Sequence, residues 1–519
     1  MSETAFIAAK NQLVERILSY LVAQGYSRDD GRKLHFVDSL RNSLGGKTTW
    51  NPDIFLIHGN GTVLVADAQL LEERQAQYIP AAMEQAAPQI NSILPSASIA
   101  LYIPMGGVLT METICKAARL NVAIEAIDQA STIHRLLDPS TICQAFRPNQ
   151  AENETVQRQK ASGWAIPLVL VQQLNHVTNL QYSSQLHQFA STYLNAPPPV
   201  HLSAQYKIAS QCIESIFRSL NLDVCCEPLL MSKDLQKMAR RKGASRDHFL
   251  HEFQAFLIGA LILDECMRSR SSSFALCGRY QRLDIPWLIA SIFHDFGFDL
   301  ANMESCVSIP AGELKYEPKG NVRFSALLNS LYDFQKNLGN LDNWNPDSYV
   351  VGSSDLERIL FNAALEKYSS KTGEKLRANH GTISAHNIAC LAERVPAGRP
   401  DLALMFISSA LSASLHDKNL WPELFSGSIL PLDALRFPLL YLLVLCDTLA
   451  EAGRPRTATT EKEDAVLASF SVQGNIVRSS VWFPTPERAC TMNFWSHFAQ
   501  ERCFANALLG LECRSLVDQ

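Results

Sequence analysis

The 519-residue sequence predicts a multidomain chain: an N-terminal α/β sandwich followed by a large all-α domain. Three observations predict it. Two β-rich runs flank the turn residues His58-Gly-Asn-Gly-Thr62, and further short β-rich runs alternate with helical periodicity as far as Ile127. From Ala204 to Glu451 helical patterns follow one another. Between these regions Gln, Asn and Ser accumulate, and Ala196-Pro-Pro-Pro-Val200 forms a stiff extended segment. The domains are therefore read as 1–135, a connecting region 136–203, a helical domain 204–460 and a small α/β C-terminal extension 461–519.

The elements follow in order. Ala5–Ala23 repeats apolar residues at helical spacing. Asp53-Ile-Phe-Leu-Ile and Val63-Leu-Val-Ala-Asp67 read as a hairpin around Gly-Asn-Gly. A polar helix from Leu70 to about Gln85, a strand Ser98–Pro104, a helix Thr110–Arg119 and a strand Val122–Ile127 complete the sandwich. The second domain reads as helices Ala204–Leu220, Lys233–Arg241, Asp247–Arg268, Trp287–Phe296, Phe324–Leu338, Asp355–Ser369, Thr382–Glu393, Ala403–Ser414 and Pro438–Glu451. In the tail, Val466–Ser471 and Asn475–Trp482 read as strands, with a helix near Asn493–Leu509.

Composition narrows the function classes. Lys+Arg 46 against Asp+Glu 51 gives a net charge of −5, which carries no global electrostatic footprint for nucleic acid. A hydrophobic share of 47% with 19% charged residues excludes wholesale disorder. The longest apolar run, Phe437–Cys446, is half of the roughly 20 residues a membrane span needs, and the N-terminus lacks a basic-then-apolar secretory pattern. The 13 cysteines are odd in number and form no Cys-x-x-Cys, so they read as small hydrophobes of a cytoplasmic, reducing compartment.

The 13 histidines hold the sharper signal, because five segments deliver His and Asp in a series: His251, His294-Asp295, His380, His416 and Asp447. Imidazole nitrogens and carboxylate oxygens suit divalent ions such as Mn, Fe, Co, Ni and Zn. Asp447 follows eight apolar residues, and an ionised carboxylate there is costly to bury unless paired or metal-bound. His248, one turn before His251, competes with it, and His386 competes with His380 and His416.

This pattern, above all Leu288-Ile-Ala-Ser-Ile-Phe-His294-Asp295-Phe-Gly297 and Leu445-Cys-Asp447-Thr-Leu-Ala-Glu451, resembles the HD superfamily of metal-dependent phosphohydrolases over about residues 205–460. The resemblance implies metal ligands at His251, His294, Asp295, His380, His416 and Asp447, with Asp295 and His380 also catalytic. It implies two divalent ions per chain (Mn, Fe, Ni, Co, Zn or Mg), as in the six-ligand cyclic-dinucleotide phosphodiesterases and the di-iron oxygenases of the same fold. Paired divalent ions neutralise charge on a phosphoryl group and lower the pKa of bound water. The expected activity is hydrolysis of a phosphoester in a nucleotide or cyclic nucleotide. The alternatives are a di-iron oxygenase and a nucleic-acid or nucleotide sensor. Many members carry a lysine three residues after the aspartate, where this chain has Phe298. Arg246, Lys418 and Arg454 are the candidates for contacting substrate phosphate instead.

The first domain, over about residues 5–130, resembles the PD-(D/E)xK nucleases (a restriction-endonuclease-like fold) through Asn51-Pro-Asp53 and Asp67-Ala-Gln69. The resemblance implies a second metal site at Asp53 and Asp67, with Gln69 in the place of the usual lysine and Glu15 as an extra acid. It makes nucleic acid a partner through this domain. The run Lys237-Met-Ala-Arg240-Arg241-Lys242 is a further basic, helical segment. No membrane partner is expected.

Overall fold

The computed structural model describes residues 3–46, 48, 50–70, 79, 81–104, 111–128, 130–138, 145–197, 201–241, 247–269, 283–297, 380–392, 394–396, 399–416, 432–434, 438–450, 465–485, 488–489, 504–505 and 507–517. The chain divides into two compact units. The first comprises Met1–Ala145 with Trp421–Ser428 and Thr485–Phe498; the second holds Phe146–Leu420, Ile429–Pro484 and Ala499–Gln519. No helix among the described residues is long and apolar enough to cross a membrane.

The first unit is a mixed six-stranded sheet with helices. Its elements are α1 (Glu3–Ala23), β1 (Tyr26–Arg28), α2 (Asp30–Ser43), β2 (Ile54–His58), β3 (Val63–Ala68), α3 (Ala81–Ile93), β4 (Ala97–Pro104), α4 (Met111–Arg119), β5 (Ala123–Ile127) and β6 (Ile133–Leu137). Spatial order follows chain order, with β3, β4 and β5 parallel and the outer pairings antiparallel. The period-2 pattern sorts the two faces. Ile54, Leu56, Leu64 and Ala66 pack with Leu13, Ile17 and Leu21 of α1, whereas Phe55 points the other way and meets Phe36 of α2. At the hairpin turn Gly61 adopts φ 88°, a left-handed conformation that glycine reaches without strain. The sequence-expected helix from Leu70 to Gln85 is corrected here: the helix runs Ala81–Ile93, and residues 71–78 lie outside those described. The short strand β1, the helix α2 and the edge strand β6 were not expected.

The second unit is mostly helical. It comprises α5 (Gln150–Ser162), α6 (Leu168–Leu174), α7 (Ser183–Asn195), α8 (Leu202–Ser219), α9 (Cys226–Arg241), α10 (Phe249–Ser269), α11 (Asp284–Phe293), α12 (His380–Ala392), α13 (Pro400–Leu415) and α14 (Pro438–Ala450). Five of its nine expected helices agree to within a few residues. The helix expected from Lys233 begins at Cys226, and Trp287–Phe296 is helical from Asp284. Phe324–Leu338 and Asp355–Ser369 lie outside the described residues. Every residue of α11 and α14 is buried, and nearly all of α10, so these helices are apolar on all sides. Gly259 permits the α10–α11 crossing: a Cβ there would lie 2.1 Å from Cζ2 of Trp287, whose Nε1 donates to the Phe256 carbonyl (3.1 Å).

Much of the stretch read as a connecting region, 136–203, is helical: α5, α6 and α7 lie in it, and from Phe146 on it falls in the second unit. Its polar helices bury a few large side chains each: Trp164 stacks on Tyr193, and the Gln159 side chain bonds the backbone of Trp164, Ile166 and Leu168. The buried Asp264 of α10 accepts the backbone N–H groups of Thr178 and Asn179 (2.8 and 2.7 Å), fixing the α6–α7 connection to the helical core. The tail forms β8 (Val466–Gln473) and β9 (Ile476–Phe483), a short strand β10 (Phe504–Ala505) paired with β7 (Leu432–Asp433), and β11 (Gly510–Val517). Strand order is β11-β9-β8, so the end of the helix expected near Asn493–Leu509 is strand and bend instead; residues 490–503 lie outside those described. Val156 of α5 shares a small core with Val466, Ala468, Trp482 and Leu516, so β8, β9 and β11 belong to this unit.

Candidate metal centre

Five helices of the second unit converge on one cluster. His248 immediately precedes α10 and His251 lies in its first turn; the end of α11 brings His294 and Asp295; α12 begins with His380; His416 ends α13; and Asp447 lies within α14. All are buried except His380, whose side chain is 18% exposed. The six residues singled out in the sequence are thus brought together, and His248, named only as a rival to His251, joins them.

The cluster falls into two groups that share one carboxylate. His251, His294 and Asp295 form one, and Asp295, His380 and His416 the other; within each, one ligand atom per residue lies within 4.8 Å of the others. Asp295 Oδ1 faces His380 Nε2 and His416 Nε2 at 3.3 and 3.4 Å, and those two nitrogens are 3.4 Å apart. Asp295 Oδ2 lies 3.9 Å from His294 Nε2. Asp447 Oδ1 accepts from His251 Nε2 at 2.7 Å and lies 3.5 Å from His294 Nε2.

Local backbone chemistry aims these rings. His294 Nδ1 donates to the Ser291 carbonyl (2.9 Å) and His416 Nδ1 to the Ala413 carbonyl (2.6 Å), each three residues back at a helix end. A proton held on Nδ1 leaves the Nε2 lone pair directed inward, the arrangement of a metal-ligating imidazole whose other nitrogen is anchored to a carbonyl. His294 Nε2 is buried and has no hydrogen-bond partner, although two carboxylate oxygens flank it. Lone pairs facing carboxylates repel, and a cation among them removes the repulsion. The donor set of imidazole and carboxylate therefore fits divalent metal ions.

Electrostatics of the metal-free protein point the same way. Burial opposes the charge on Asp295, but His294, His248 and His416 outweigh it and hold the carboxyl well below its usual range. Burial likewise opposes charge on His416, yet Asp295, aided by Asp447 and the Ala413 carbonyl, lifts its pKa to about 9.

The remaining expectations divide. Arg246, Lys418, Arg454 and Phe298 lie outside the described residues, as do the side chains of His386, Lys237, Arg240 and Arg241. In the first unit Asp53 and Asp67 are adjacent, but their oxygens are engaged. Asp67 accepts from Trp50 Nε1 (2.7 Å) and the Asp53 amide (3.2 Å); Asp53 accepts from the Ala68 amide (2.9 Å) and pairs with Lys10 (2.9 Å). Glu15, named as an extra acid, is exposed and pairs with Arg28, while Lys10 of the same helix pairs with Asp53. Gln69 donates its backbone N–H to Tyr102, and its side-chain Oε1 is buried without a hydrogen-bond partner. Sequence reasoning missed Lys10, because nothing in its spacing from Asp53 ties the two together.

Compared with protein-family models, curated proteins and solved structures, the chain matches none.

Proposed function

We propose that the second unit is a metal-dependent phosphohydrolase or phosphodiesterase of the HD type, acting on a nucleotide or cyclic nucleotide through two metal positions joined by Asp295. The observation that carries this reading is His294 Nε2, buried without a hydrogen-bond partner between Asp295 and Asp447. His251, His294, Asp295 and Asp447 would hold one ion, and Asp295, His380 and His416 the other. When bound, such ions supply Lewis acidity toward a phosphoryl oxygen and a lowered pKa for water. The residues themselves orient and exclude. Asp295 offers one oxygen to each group, the two carbonyl-anchored imidazoles hold their tautomers, and burial of every member but His380 keeps bulk water out. Substrate approaches from the His380 side, the part of the cluster that is 18% exposed.

A second reading, a di-iron oxygenase, is favoured by the two-histidine, one-carboxylate composition of the Asp295–His380–His416 group, which suits non-haem iron. For the first unit we favour a nuclease-like fold that binds rather than cleaves. Support comes from Gln69 in the lysine position and from the hydrogen bonds that already occupy Asp53 and Asp67.

The deciding experiment measures metal content and then turnover. Purified chain reconstituted with Mn should carry two ions and release phosphate or nucleoside monophosphate from a nucleotide panel, and Asp295→Ala should abolish both. Oxygen consumption with Fe and no phosphate release would replace this reading with the oxygenase. Absence of metal after reconstitution would end both.

A further inference from the structure

Asp295 is gripped twice from α10. His248 Nδ1 lies 3.0 Å from Asp295 Oδ2, and Glu252 Oε1 accepts the Asp295 backbone N–H at 3.1 Å. His248 immediately precedes α10, and its carbonyl accepts the Glu252 N–H (2.8 Å) to close the first turn, so residues four apart on one face reach both the carboxylate and the amide of Asp295. Both grips are themselves held. His248 and Glu252 are 3% and 1% exposed, and the His248 backbone N–H donates to Gln236 Oε1 (2.8 Å). At the foot of the helix Asp247 accepts the Leu250 amide (2.8 Å) and the Tyr206 hydroxyl. Neither His248 nor Glu252 belongs to the two groups able to hold an ion.

We infer that His248 and Glu252 are positioning residues, setting the plane of the Asp295 carboxylate so that one oxygen serves each metal position. The inference rests on the two-metal reading above. Asp295 follows α11 in a turn, and a carboxylate can rotate about its Cβ–Cγ bond. With Oδ2 bonded to His248, Oδ1 is left facing His380 and His416 at 3.3 and 3.4 Å. The amide bond to Glu252 fixes the backbone from which that carboxylate projects. Releasing Oδ2 lets the plane turn, and the group that depends on Oδ1 loses its carboxylate while the other keeps Asp447. His248 thus controls the pairing of the two ions more than the presence of the first.

The test is Mn titration of the full chain, followed by electron paramagnetic resonance. Wild type should take up two ions and show the spectrum of a spin-coupled pair. In His248→Ala the second ion should bind about 10–100-fold more weakly, the range for loss of an outer partner, and the coupled spectrum should vanish while the first ion still binds. His248→Asn places an amide N–H near the Nδ1 position and should restore both readouts, which a packing role alone would not do. Should His248→Ala not fold, His248→Met fills the space without a donor and is compared with His248→Asn in its place. A coupled pair of undiminished affinity in His248→Ala or His248→Met overturns the inference, as does equal loss of both ions in the Asn and Ala variants. Wild type that binds no Mn overturns the two-metal reading itself, and is told apart by that.

Discussion

Asp67 in the sheet unit and Asp295 in the helical unit are both buried, at 7% and 5% exposure, and burial has opposite consequences for them. Around Asp67 the donors are neutral: the Trp50 indole and a backbone amide, with the Asp53 carboxylate close by. Burial dominates and raises its pKa, the Trp50 hydrogen bond only partly offsetting it and Asp53 reinforcing it. Around Asp295 the partners are imidazoles, and they reverse the effect of burial. Two acids of the same type and similar exposure are therefore distinguished by who faces them. The first is completed by its own fold, whereas the second sits beside His294 Nε2, which has no hydrogen-bond partner.

The comparison is broken most directly by substitution. Asp295→Ala should reduce metal uptake at both positions by more than the roughly 10–100-fold seen for outer partners, while Asp67→Ala should leave the metal count unchanged. Elemental analysis of the two variants decides it, and equal loss in both would erase the distinction.

Packing gives the next effect. In Gly259→Ala the new methyl must displace Trp287, so α11 shifts, and with it His294 and Asp295. Overpacking of this kind costs about 1–3 kcal/mol. Urea denaturation should show the loss, and metal affinity should fall with it; unchanged stability would mean that the α10–α11 crossing is looser than described.

The response to pH sharpens the contrast in the chelated protein. The folded-state pKa of Asp67 lies above its unfolded value, so its penalty exists above the folded pKa and is relieved as pH falls through it. The folded-state pKa of Asp295 lies below, so its contribution is present above 3.8 and is lost as pH falls through the folded value. His416 contributes stability that is complete below 6.5 and disappears as pH rises through about 9. Hydrogen exchange resolved by unit should show the sheet unit gaining protection on mild acidification and the helical unit losing it toward alkaline pH. Parallel behaviour of the two units would contradict the assigned environments.

The smallest effect is expected at Lys10. Its ion pair with Asp53 is partly open to solvent, with side chains 35% and 22% exposed, so Lys10→Met should cost no more than roughly 1 kcal/mol in urea unfolding. A larger loss would give the pair a weight its exposure does not suggest.

The His/Asp series was legible because each member stands in an apolar helical context where an ionisable side chain is conspicuous. Asp447 after Leu439–Cys446 is the clearest case. What holds those side chains was not legible. Glu252 and Gln236 look like ordinary polar helix residues in the sequence, and their role appears only when α9, α10 and α11 are packed. The helices α5 and α7 escaped for a related reason: they are polar along most of their length, and few large side chains, such as Tyr193 stacked on Trp164, anchor them, which leaves little periodic signal. The strand β11 was hidden by alternation that is exposed at its start and buried only from Ser515 to Val517. In the first unit the hairpin carried its own turn chemistry, whereas β1 and β6 are short edge strands defined by their neighbours.

His294 and His416 each cap the C-terminal end of a helix, α11 and α13. Aligned peptide dipoles leave roughly half a negative elementary charge at such an end. Two negative helix poles and two carboxylates, Asp295 and Asp447, therefore meet at one buried point. An anion arriving there meets a potential that only the imidazoles moderate, and a divalent cation already in place inverts it. On the proposed two-metal reading this would translate into an order of addition, metal first and phosphorylated ligand second, so free phosphate should neither compete with nor precede the ion.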